Sequence, residues 1–294
     1  MSSSNPGPRP FVPGRPHWWQ WPTVLSLDAP AVAVLWQWLL ARVARVPLAW
    51  HHAVVLGVSV WLAYAADRWI EGWRLAPDQI RTQRHRFYQR WRWPLAAVWC
   101  VALGADLGVS LLCLTRRELE AGLLLLLPVF AYLLSHQLVH RLRRWRAPKE
   151  ICVALLFGAG VSVFLFAEPD ADVRSLFAPL GFFVLLCFAN CALIAAWEQA
   201  VDAAHGQTSF ALQFRRAHAF THALPWLLAI AAGWLAGDRS GPVRTAMACT
   251  AASGVLLGLL DVAQPRVGPR LARALVDFTL MTPALVWGFE RWRF

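Results

Sequence analysis

The sequence predicts an all-α fold, a polytopic membrane bundle of about nine helices. Three observations lead there. The chain is 58% hydrophobic and only 15% charged over 294 residues, far too apolar for a soluble domain of that length. Long apolar runs recur from end to end, each of a length that can cross a bilayer. The charge that remains is strongly basic and gathers in short stretches between those runs.

The apolar runs place spans at about 28–46, 48–66, 94–113, 118–137, 150–168, 175–197, 217–236, 243–261 and 271–289. Pro30, Pro94 and Pro242 lie near span starts, where a missing N–H does no harm. Asp28 is suited to cap the first span from just before Pro30. Residues 1–21 are rich in Pro, Ser and Gly without an apolar core, and read as a disordered cytoplasmic tail rather than a cleaved signal peptide. Residues 22–294 read as one integral-membrane domain, since no polar insertion is long enough to fold separately.

With the N-terminus inside, the cytoplasmic segments carry 19 of the 28 Lys and Arg residues and the outer ones 9. The positive-inside rule therefore orients the chain N-in and C-out, and a bacterial inner membrane is the expected location. The same rule accounts for the +11 charge without nucleic acid. The 18 tryptophans fit interfacial aromatic belts. The six cysteines fall inside apolar runs and form no CxxC, which argues against disulfides and a structural zinc site.

Two stretches carry candidate chemistry. Residues 64–90 read YAADRWIEGWRLAPDQIRTQRHRFYQR, with Asp67 and Glu71 four apart on one helix face. Arg81, Arg84, His85, Arg86 and Arg90 follow them. Near the end of span six, Glu198 and Asp202 repeat the four-residue spacing. The charge count puts both carboxylate pairs on the same side of the membrane. Carboxylates supply hard oxygen ligands for a divalent cation, and guanidinium groups neutralise phosphate. The competing reading is a set of solvated head-group charges. Ionisable groups at membrane depth are costly and usually mark function. Asn190, two turns before Glu198, faces either a cavity or a neighbouring helix. Two histidine pairs, His136/His140 and His218/His222, have the spacing for haem or a transition metal, against a reading as packed interfacial side chains. Asp106 sits mid-span, and Asp261 sits at the end of span eight, where an interfacial role is enough.

The ordered set of motifs resembles the UbiA-type intramembrane prenyltransferases. AYAADRWIE (63–71) is similar to the family's first Asp-rich motif, and AAWEQAVD (195–202) with Gly206 to its second. RTQRHRF (81–87) resembles the Arg-Thr segment that follows the first motif. LDAP (27–30) resembles the opening of helix one, and Arg143 and Arg144 the basic pair before helix five. The motifs are thinned: Ala63, Tyr64 and Ala195 stand where the family has Asn and Asp, Glu71 and Glu198 replace Asp, and Ser26 and Ala29 replace basic residues. The resemblance implies Mg²⁺-dependent transfer of a prenyl group from a prenyl diphosphate to an aromatic or lipid acceptor. It implies Asp67, Glu71, Glu198 and Asp202 as catalytic metal ligands. Arg68, Arg81, Arg84, His85, Arg143 and Arg144 would bind the diphosphate, and Asn190 would line the cavity. The alternatives are a degenerate isoprenoid-binding membrane protein and, further off, a histidine-ligated haem or metal redox protein.

Overall fold

The computed structural model describes residues 16–74, 83–138, 148–199 and 209–291. Within them every regular element is helical. The elements are α1 (Trp21–Val24), α2 (Asp28–Ala44), α3 (Trp50–Arg74), α4 (Gln83–Arg90), α5 (Arg92–Cys113), α6 (Arg116–Leu138) and α7 (Lys149–Ala167). They continue with α8 (Val173–Trp197), α9 (Phe210–Gln213), α10 (His218–Asp238), α11 (Gly241–Val267), α12 (Pro269–Leu275) and α13 (Pro283–Arg291).

By length and composition, six of these helices can cross a membrane: α3, α5, α7, α8, α10 and α11. A seventh is reached if the stretch before α2 and α2 itself, bent by 72°, count as one span. Nine spans were expected, and two of the expected runs look different. The run at 118–137 is the helix α6, with charged and polar residues crowding both of its ends. The run at 271–289 is divided into α12, a 3₁₀ turn at Asp277–Leu280 and α13, which Pro283 starts, and Gly268 at φ +81° sets α12 off from α11.

Helix α2 is the hub. It packs against α3, α7, α8 and α11, and Trp36, Leu40, Ala33 and Ala44 lose all exposure there. Trp36 stacks on Phe183 with centroids 4.5 Å apart, and its indole N–H donates to the Leu280 carbonyl at 2.8 Å. That bond anchors the broken C-terminal segment to the centre of the bundle. Helices α10 and α11 form a close hairpin made possible by Gly254: a Cβ there would sit 2.7 Å from the Pro225 carbonyl oxygen. At the periphery Val101, Leu111, Leu112, Leu124, Ile230 and Trp234 are exposed, the outward apolar surface that lipid covers.

Asp28 is not the cap. Leu27 holds the N-cap position, and Asp28 is the first helical residue, 2% exposed, accepting from the Ala29 N–H at 3.0 Å. Its carboxyl is turned into the bundle.

Candidate functional site

The bundle encloses a cavity of about 390 Å³ between α2, α3, α6, α7 and α8, closed by Arg84 of α4 and by the segment 273–280. Its two ends differ in chemistry because α2 and α7 begin at one end, where α3 and α8 finish. There Asp67, Arg68, Arg84, Lys149, Glu150 and Glu198 line the wall. The remaining wall is largely apolar, with Val55, Leu56, Leu125, Leu133, Phe157 and Phe164, and carries Asn190, Arg273 and Asp277 as a second polar group.

Arg84 Nη2 donates to Glu198 Oε2 at 3.3 Å, which ties α4 to the end of α8. Burial pushes the Glu198 carboxyl up, but Arg84, with Arg273, Arg68 and Lys149 behind it, outweighs that and holds it below the usual glutamate range. Deeper in, Arg273 Nη1 donates to Asp277 Oδ2 at 2.8 Å, and Asn190 Nδ2 donates to Asp277 Oδ1 at 2.8 Å. The charges of Asp277 and Arg273 both act on the Asp28 carboxyl. Arg68 is 7% exposed, and its Nε donates to Ser26 Oγ at 3.0 Å. The Ser26 and Tyr88 hydroxyls stand 3.3 Å apart. Ser26 can turn back under Arg68 because its φ is +57°. Glu150 accepts from the Phe210 N–H at 3.1 Å, which docks α9 under the cavity.

The expected residues divide as follows. Asp67, Arg68, Arg84, Asn190 and Glu198 line the one cavity. Asn190 satisfies both readings of its role, since it also bonds across to Asp277. Glu71 lies on α3 one turn beyond Asp67, and His85 lies on α4, but the side chains of both fall outside the described set. Arg81, Arg143, Arg144 and Asp202 lie outside the described residues, as does His140. His136 lies on α6, with its side chain outside the described set. Among the described residues no group of three or more His, Cys, Asp or Glu is gathered as a metal cage.

Sequence reasoning missed Arg273, Asp277, Lys149, Glu150 and Tyr64, all of which line the cavity. Arg273 and Asp277 carried a signal, since opposite charges four apart within an apolar run mark a buried pair. Asp106 accepts from Ser59 Oγ at 2.7 Å, which makes it a helix–helix contact. Asp261 is more than an interfacial charge: it accepts from Trp197 Nε1 at 2.9 Å and pairs with His222 Nδ1 at 2.6 Å.

The arrangement can do two things. Its charged end can cradle an anion between guanidinium groups, and its apolar wall can take a chain. No protein-family model and no curated protein matches the chain. Its fold is similar to that of a solved structure, the apo form of a UbiA homolog from Aeropyrum pernix K1. The TM-score is 0.54 and the identity 16%, over 88% of this chain and 98% of that one.

Proposed function

We propose that this UbiA-like fold is an integral-membrane prenyltransferase, moving a prenyl group from a prenyl diphosphate to an apolar aromatic or lipid acceptor with the help of Mg²⁺. One observation carries the reading. Asp67 and Glu198, from two separate helices, line the same cavity at its charged end, and most of the rest of that cavity is apolar. A diphosphate joined to a hydrocarbon has the same division.

The donor set suits Mg²⁺, which takes hard carboxylate oxygens and keeps several waters. Asp67 and Glu198 would hold it, with Glu71 and Asp202 completing the pairs. Once bound, it supplies positive charge against the departing diphosphate. The chain's own groups do the rest. Arg68 and Arg84 bind and orient phosphate oxygens, joined in this proposal by Arg81, His85, Arg143 and Arg144. Val55, Leu56, Leu125 and Leu133 hold the tail and exclude water from the allylic carbon. The ring faces of Phe157 and Phe164 favour a cation in the cavity. Asp277, fixed by Arg273 and Asn190, holds the inner polar wall of the cavity in place.

The Arg84–Glu198 pair favours a second reading, an isoprenoid-binding protein without turnover, because a carboxylate already paired with a guanidinium is a weaker metal ligand. Mg²⁺-dependent release of diphosphate from a panel of prenyl diphosphates and acceptors separates the two. The transferase reading expects release by the wild type, and a fall of roughly a hundred- to thousandfold in Asp67→Asn, the typical loss of one transition-state contact. Release that survives both EDTA and Asp67→Asn would refute the metal site. No release, with a prenyl alcohol still bound, would establish the second reading.

A further inference from the structure

Away from the cavity, at the start of α10, the structure assembles a pair of imidazoles that the proposed transferase site does not use. His218 and His222 are one helical turn apart, and their Nε2 atoms stand 3.2 Å from each other. His222 Nδ1 contacts Asp261 Oδ2 at 2.6 Å. A carboxylate only accepts, so Nδ1 carries the proton and the neutral ring presents a bare lone pair at Nε2. Trp197 Nε1 donates to the other Asp261 oxygen at 2.9 Å, so the carboxylate, and through it the ring, is fixed from two helices.

The ring centroids are 4.4 Å apart and the planes are tilted by 50°, so the rings lie side by side with their Nε2 tips near each other. Two imidazole nitrogens on one tetrahedral ion, each about 2.0–2.1 Å from it, stand about 3.3 Å apart. The His218 side is exposed and His222 is about one-third exposed, so an ion can reach the site from the medium.

We infer that His218 and His222 form a binding site for a divalent transition ion of the Zn²⁺ or Cu²⁺ class, oriented by Asp261 and completed by water. Imidazole suits these ions, and a carboxylate behind the ligating ring is the usual device that sets its tautomer and raises its basicity. The site is independent of the proposed prenyl transfer and of the Mg²⁺ that transfer would use. Trp197 adjoins Glu198, so an ion here also braces the end of α8 that carries that carboxylate.

The test uses the full chain in detergent, with Zn²⁺ affinity measured against a competing chelator dye and Cu²⁺ followed by electron paramagnetic resonance. The wild type binds one Zn²⁺ that the His218→Ala/His222→Ala variant does not, and its Cu²⁺ spectrum shows two imidazole nitrogens. His218→Ala, at an exposed position, reduces that to one, and His218→Cys, which supplies a thiolate, recovers Zn²⁺ binding. Asp261→Asn weakens Zn²⁺ by about 10–100-fold, the usual effect of losing a partner behind the ligand. Thermal melts without metal check that each variant is folded. Zn²⁺ affinity and Cu²⁺ spectrum both unchanged in a folded His218→Ala/His222→Ala variant would overturn the inference and leave the pair as a ring–ring hydrogen bond.

Discussion

Removing the Asp277 carboxylate should destabilise the bundle strongly, and neutralising its partner at the same time should undo most of the damage. Asp277 accepts from Arg273 and Asn190, each at 2.8 Å, and the Arg273 and Asp277 side chains are only 14% and 16% exposed. Asp277→Leu leaves a buried guanidinium and an amide donor without their acceptor. Breaking one partner of a buried pair costs about 3–5 kcal/mol. Asp28 faces Asp277 and repels it, so losing Asp277 relieves one unfavourable contact and the low end, about 3 kcal/mol, applies. For a chain of this size that is a fall in Tm on the order of 10 °C. Arg273→Met alone leaves Asp28 and Asp277 as unrelieved neighbours and should cost a similar amount. Arg273→Met with Asp277→Leu removes both charges of the pair together, a replacement that is often neutral, although the Asn190 amide still lacks its acceptor. Thermal unfolding in detergent at one fixed scan rate, run as a double-mutant cycle, reads the coupling. Additive losses in the double variant would refute the pair as placed, and with it the closure of the cavity by the segment 273–280.

Other consequences follow from particular contacts. Gly254→Ala would put a Cβ 2.7 Å from the Pro225 carbonyl and 3.1 Å from the Ala229 nitrogen, so α10 and α11 must part at a cost of about 1–3 kcal/mol, seen as a lowered Tm, whereas Gly181→Ala meets open space and should not lower it. Asp172 caps α8 by accepting from the Ser175 hydroxyl at 2.8 Å and N–H at 3.2 Å, bonds that hold its carboxyl below the usual aspartate range. Its contribution is therefore fully present above the ordinary aspartate value and is lost as pH falls through the depressed folded value; Asp172→Asn should flatten that part of the stability–pH profile between pH 2 and 5, about the range over which such groups titrate.

The helical membrane class was legible because apolar runs and loop charge are properties of the chain alone. The association of Asp67 with Glu198 was legible because equal spacing at the ends of two spans on one side of the membrane limits where they can meet. Periodicity does not say which helices adjoin, so the wall contributed by Lys149 and Glu150 was out of reach. Asp28 was read locally, as a cap, when its carboxyl is instead drawn inward toward Asp277 and Arg273. Residues 271–289 were read as one continuous span, which hid the break in the last apolar run and the place of Arg273 on the cavity wall. The His222–Asp261 bond joins two helices 39 residues apart, a separation at which spacing carries no information.

The central claim is that one diphosphate-bearing chain fills the cavity with its head between Asp67 and Glu198. Binding of a non-hydrolysable prenyl thiodiphosphate tests it most directly, because the result does not depend on knowing the acceptor. The account predicts Mg²⁺-dependent binding that weakens at least tenfold, about 1.4 kcal/mol, in Asp67→Asn and in Arg68→Gln. The matching prenyl alcohol should bind those variants as it binds the wild type. Thiodiphosphate binding that ignores Mg²⁺ and both substitutions would contradict it.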